Sequence, residues 1–167
     1  MNYTDFLEQL DIHIKKYNEL HKEYICCKKG CSLCCETGDY PLSQIEFDYI
    51  MSGFIELDDR KKNIIQNNIK TMQKGKVCPF LHDSCCLIYK YRPVVCRIHG
   101  IAYKGTKNIT VPYCAETGLN YSSVYRNNIL YTEPIPLNLD TPALLRGVDY
   151  GEIRTMFEWL KTNQTRN

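Results

Sequence analysis

The sequence predicts a mainly α-helical fold: a small single domain over 1–167 with irregular cysteine loops and one short β-hairpin. Three observations predict it. Apolar residues recur at helical spacing in four segments, with start and stop signals at their ends. Ten cysteines crowd the irregular stretches, all of them within 26–114. At 167 residues the chain is long enough to bury one core without covalent staples. Hydrophobic residues at 44% and charged residues at 24% are ordinary for a globular chain.

The first helix is expected over 5–23. Asp5 with Glu8 reads as a capping box, and Leu7, Leu10, Ile14 and Tyr17 fall on one face as a wall of the core. CCKKGCSLCC follows at 26–35, five thiols in ten residues. Residues 36–42, ETGDYPL, carry turn signals in Gly38 and Pro41. Ser43 then caps a second helix, with Glu46 completing the box and Phe47, Ile50, Met51 and Phe54 forming its apolar face. Leu57-Asp58-Asp59 opens a third helix to about Lys74. Ile64, Ile65, Ile69 and Met72 point inward, the lysines, Asn67 and Asn68 face water, and Gly75 is the stop. From Val77 to Cys96 two prolines and four cysteines break any periodicity. Residues 100–113 hold β-branched and aromatic residues around Gly105 and Asn108, the pattern of a short hairpin. Residues 115–150 carry no readable pattern. A last helix over 152–161 has Ile153, Met156, Phe157 and Leu160 on one face, with Trp159 as packing.

The formal net charge of +2 gives no case for a nucleic-acid partner. No apolar run reaches the ~18 residues of a membrane span, so no membrane partner is expected. The opening, MNYTDFLEQLDIHIKKYNEL, is interrupted by charges and does not read as a secretory signal. The expected location is cytoplasmic. No GxSxG, phosphate-loop, HExxH or dinucleotide motif is present.

In a reducing cytoplasm, cysteine richness points to metal binding or redox chemistry rather than disulfides. Adjacent pairs argue the same way, since Cys26-Cys27, Cys34-Cys35 and Cys85-Cys86 would need unusual geometry to bridge one another. Thiolates at short intervals on glycine- and proline-containing turns can converge on a soft metal. Cys27-x3-Cys31-x2-Cys34 is the strongest local spacing. The same spacing occurs in radical S-adenosylmethionine enzymes, but those need an α/β barrel, and this chain is too short and too helical for one. Neighbouring cysteines suit different centres or different atoms of one cluster. Eight of the ten would supply two four-thiolate sites, leaving two to spare. Each such site carries about −2, whether zinc or an oxidised four-iron cluster. Lys28, Lys29, Lys90, Arg92 and Arg97 stand among the cysteines and could offset that charge. Irregular spacing without paired CxxC knuckles, together with Cys78-Pro79, leans toward an iron–sulfur cluster of the 4Fe-4S kind over zinc. His82 and His99 are not needed as ligands beside so many thiols, and Tyr89 and Tyr91 would flank a centre.

CKKGCSLCC at 27–35, CPFL at 78–81, CLIYKYRPVVCR at 86–97 and the later Cys114 together resemble the YkgJ-like cysteine-cluster family, named for CxxCxxCC and described as zinc- or iron-chelating. One departure stands out: the family's first cysteine position is Lys28 here, with Cys27 one residue further off and Cys26 beside it. The resemblance implies a metal-binding role for Cys27, Cys31, Cys34, Cys35, Cys78, Cys86, Cys96 and Cys114. Cys86 is favoured over Cys85 because it begins the matched block. A branch of that family is linked to lysine N-methylation of flagellin, so the resemblance allows a redox or protein-modifying component acting on a protein substrate. The competing expectations are a structural zinc protein working through protein partners, and a metal store or thiol-redox protein.

Overall fold

The computed structural model describes residues 2–28, 30–104, 109–124, 135–138 and 149–164. Of these, 48% are helical and 12% lie in strands of small sheets, in keeping with a mainly α chain. The chain forms two compact units, Met1–Lys29 with Arg97–Val148, and Gly30–Cys96 with Asp149–Asn167.

The first unit is built on α1, Tyr3–Leu20, which buries Tyr3, Phe6, Leu7, Leu10, Ile14 and Tyr17. Its capping box lies one turn earlier than the sequence suggests. Asn2 accepts from the Asp5 N–H at 2.8 Å, and the Asp5 carboxylate accepts from the Asn2 N–H at 3.4 Å. Asparagine is as good an N-cap as aspartate, and starting there brings apolar Tyr3 and Phe6 onto the buried face. The helix also stops at Leu20 rather than near 23, with the Tyr24 N–H bonded to the His21 carbonyl at 2.8 Å. Tyr17 stacks on His21 at 4.0 Å, and its hydroxyl lies 3.1 Å from the carbonyls of both Ala102 and Ile135. Tyr103–Lys104 and Ile109–Thr110 pair antiparallel as expected, while Gly105 and Asn108 lie outside the described residues. Leu137–Asn138, from the stretch without pattern, adds a third strand parallel to Tyr103–Lys104.

The second unit begins with the short helix α2, Leu33–Glu36. Strand Pro41–Ser43 runs directly into α3, Gln44–Ile55. The anticipated box closes there, with the Glu46 carboxylate accepting from the Ser43 N–H at 2.9 Å and Oγ at 2.8 Å. Asp58 caps α4, Asp59–Thr71, by accepting from the Lys61 N–H at 2.9 Å. The helix ends short of Lys74. Asn68 does not simply face water: its Nδ2 donates to the carbonyls of Pro79 at 2.9 Å and Leu81 at 3.3 Å. The irregular stretch after it holds a hairpin, Leu81–His82 against Cys85–Cys86, turned by Asp83 and Ser84 at φ +48° and +57°. Two positive-φ residues in a two-residue loop are the mark of a type I′ turn, which without glycine is hard to read from sequence. A short helix α5, Val94–Ile98, follows.

The end of the chain differs from a plain helix over 152–161. Ile153–Thr155 is a strand paired antiparallel with Pro41–Ser43, and α6 starts at Met156 and runs to Gln164. Thr155 and Glu158 form the cap, with N–H to carboxylate at 3.0 Å and N–H to Oγ1 at 3.3 Å. Leu42, Phe47, Ile50, Ile65, Phe80, Ile88, Met156 and Leu160 make the core of this unit. Trp159 stacks on Phe47 at 5.2 Å and donates from Nε1 to the Leu42 carbonyl at 3.0 Å. Gly53 lets the Tyr91 ring lie against α3, where a Cβ would stand 2.3 Å from that ring.

Candidate metal centre

Four segments of the second unit carry half-buried cysteines, and each segment is pinned by hydrogen bonds. α2 presents Cys34 and Cys35. The Cys34 carbonyl accepts from the Tyr40 hydroxyl at 2.8 Å, and the Cys35 carbonyl accepts from the Cys78 N–H at 2.7 Å, which ties α2 to the CPFL segment. That segment is fixed in turn by the two Asn68 bonds. Cys86 lies on the hairpin opposite Leu81, and alternation along the strand leaves Cys85 exposed while Cys86 is half-buried. Cys96 sits on α5. The α5 entry is held by Glu46, whose Oε1 accepts from the Val94 N–H at 3.2 Å while Oε2 caps α3.

These thiols influence one another. Burial pushes Cys78 up to about 12, opposed by the main-chain amides of Phe80 and Leu81 and reinforced by Cys86 and Cys34. Burial raises Cys96 as well, with Cys78, Cys86 and Cys34 adding to it. Cys86 is raised by burial, against the Ile88 amide and the Arg92 guanidinium. Cys34 is raised first by its hydrogen bond with Cys35, then by burial. Cys34, Cys78, Cys86 and Cys96 thus lie within electrostatic reach of one another, with Tyr40 beside Cys34, Cys96 and Cys35. They are not drawn to coordination distance: among the described residues no three or more His, Cys, Asp or Glu side chains stand close enough to hold one metal ion. In kind, the donor set fits a soft metal. It offers four thiols from one unit, main-chain amides that favour the thiolate on Cys34, Cys78 and Cys86, and the Arg92 guanidinium near Cys86 and Cys96.

The other candidates are placed differently. Cys31 is exposed in the second unit; Cys26 and Cys27 are exposed in the first, and Cys114 is half-buried in the turn Tyr113–Ala115. Among the described residues no two cysteines form a disulfide. Of the cations, Arg92 opposes the raised thiols of Cys86 and Cys96 and also lies 3.7 Å over the Tyr89 ring. Arg97 pairs with Asp11, Lys90 lies over Tyr91 at 5.5 Å, Lys28 is exposed, and Lys29 lies outside the described residues. His82 faces Asp83 at 3.4 Å, and burial holds His99 below the usual imidazole range. Sequence reasoning missed Tyr40, Asn68 and the second role of Glu46, because none of them belongs to a motif.

No helix among the described residues is long and apolar enough to cross a membrane. No curated protein and no solved structure is detectably similar to the chain. The family model CxxCxxCC, described as a "putative zinc- or iron-chelating domain", matches residues 26–115, more than half of the sequence.

Proposed function

The chain belongs to the CxxCxxCC family of zinc- or iron-chelating domains, and from that premise we propose that its cysteine thiolates hold an iron–sulfur cluster. The observation that carries the reading is that four half-buried cysteines, Cys34, Cys78, Cys86 and Cys96, stand on hydrogen-bonded segments of one unit, the Cys78 N–H bonded to the Cys35 carbonyl and the Val94 N–H to Glu46. Burying thiolates together is costly, which is why Cys78, Cys86 and Cys96 are raised, while Cys34 is raised first by its hydrogen bond with Cys35 and then by burial. A bound cation reverses that balance and makes the thiolate the favoured form. Cys34, Cys78, Cys86 and Cys96 would hold the group. The Phe80 and Ile88 amides would hold sulfur charge in place, Arg92 would offset it, and Tyr40 would cover one side. The proposed ligands also include Cys31 and Cys35 of the same unit, and Cys27 and Cys114 of the first unit. Once bound, an iron–sulfur cluster supplies one-electron chemistry. The chain would then serve in the cytoplasm as a redox or lysine N-methylase-like component acting on a protein substrate.

Zinc is the second reading, favoured by the count of four grouped thiols, the full complement of a closed zinc site. The irregular spacing and the adjacency of Cys34 and Cys35 favour iron. Metal and acid-labile sulfide content of the full chain, purified without oxygen, tests the choice. Iron with matching sulfide and a broad band near ~400 nm is expected. Colourless protein with about two zinc ions per chain would overturn the cluster and leave a structural zinc protein acting through partners.

A further inference from the structure

The first unit contains a side chain that tells two neighbouring cysteines apart. Asn120 is 1% exposed, and both ends of its amide are directed at one place. Its Oδ1 accepts from the Cys26 main-chain N–H at 2.6 Å. Its Nδ2 donates to the Gly100 carbonyl at 2.7 Å and to the Cys27 Sγ at 3.0 Å. It therefore grips Cys26 by the backbone and Cys27 by the sulfur. The neighbouring residues keep it there: the Tyr121 N–H donates to the Tyr24 carbonyl at 2.8 Å, and the Tyr24 and Tyr121 rings stack at 6.1 Å. Gly100, at φ +84°, completes the fit. A Cβ there would lie 2.5 Å from Cys27 Sγ and 2.8 Å from Asn120 Nδ2, so no larger residue is compatible with this contact.

An N–H donor aimed at sulfur stabilises the thiolate that metals bind and fixes its direction. We propose that Asn120 is the positioning residue that makes Cys27, rather than Cys26, the ligand contributed by this adjacent pair. The inference rests on the metal-binding reading. It also assigns a role to a residue outside the matched segment 26–115.

Differential alkylation of the full-length protein with iodoacetamide, read by peptide mass spectrometry with and without bound metal, tests it. In the metal-loaded wild type, Cys27 should react at least about tenfold more slowly than Cys26, since ligation protects a thiolate. In Asn120→Ala and in the near-isosteric Asn120→Asp, that ratio should fall toward one, and metal affinity contributed by this ligand should drop roughly 10- to 100-fold. The ratio is the decisive readout because a general loosening of the fold speeds both reactions alike. Preferential protection of Cys26, or a wild-type ratio retained in both variants, overturns the proposal. Bound metal with neither cysteine protected overturns it while leaving metal binding intact. A wild type that takes up no metal at all overturns both.

Discussion

Single side chains divide here into those that hold thiols and those that hold their neighbours. Arg92 and the amides of Phe80 and Ile88 lower the cost of charge on Cys86, Cys96 and Cys78, whereas burial and the other thiols raise it. His21 shows how a buried group outside the cysteine set shapes behaviour in acid. It is 8% exposed, stacked on Tyr17, with Nδ1 3.4 Å from the Tyr121 hydroxyl; burial lowers its pKa against the opposing pull of Glu23. Above the unfolded value of about 6.5 the ring is neutral in both states, and its contribution to stability is fully present. As the pH falls below that, the unfolded chain takes up a proton that the folded chain resists, so stability is lost. Thermal melts between about pH 7.5 and 5 should show this acid limb. His21→Phe should flatten it in part, because His99 is depressed in the same direction. No tertiary information is needed to place His21 at the end of the first helix. Its burial, which decides the sign, was not readable.

Among the elements, α3 shows best how local chemistry serves the site. Its box, Ser43 with Glu46, is legible because a cap depends on residues three apart. The reach of Glu46 to Val94 at the entry of α5 joins residues 48 positions apart and leaves no local trace. The two residues should therefore separate in experiment. Ser43→Ala should cost about 1 kcal/mol of stability in urea unfolding, as lost N-caps do, and leave bound metal unchanged. Glu46→Ala should cost at least as much and also reduce metal retention, because α5 carries Cys96. Other elements were legible only in part. Helical spacing located α1, α3 and α4. The strand Ile153–Thr155 was hidden because three residues beside a helix show no period of two, and its partner Pro41–Ser43 lies far off in sequence.

For the molecule as a whole, metal binding and folding should be one measurement. The four segments that bear Cys34, Cys78, Cys86 and Cys96 belong to the unit whose core is Leu42, Phe47, Ile50, Ile65, Phe80, Ile88, Met156 and Leu160. Metal bound only by the folded state adds its binding energy to stability. Cys78→Ala and Cys96→Ala should each lower metal content and melting temperature together, with affinity down by more than the ~10–100-fold that loss of an outer-shell partner costs. Cys85→Ala, on the exposed side of its hairpin, should change neither. Metal analysis beside calorimetry on the same samples checks the pairing, and full metal content in the first two variants would refute the ligand assignment. By itself the sequence determined the helical class, most helix positions and the family, since all of these rest on residue type and short-range spacing. Only the tertiary structure decided which four thiols share a half-buried neighbourhood, that Arg92 opposes the raised state of Cys86 and Cys96, and that Asn120 donates to the Cys27 sulfur. Those choices depend on contacts between residues tens of positions apart, which form when buried side chains pack and which no local pattern records.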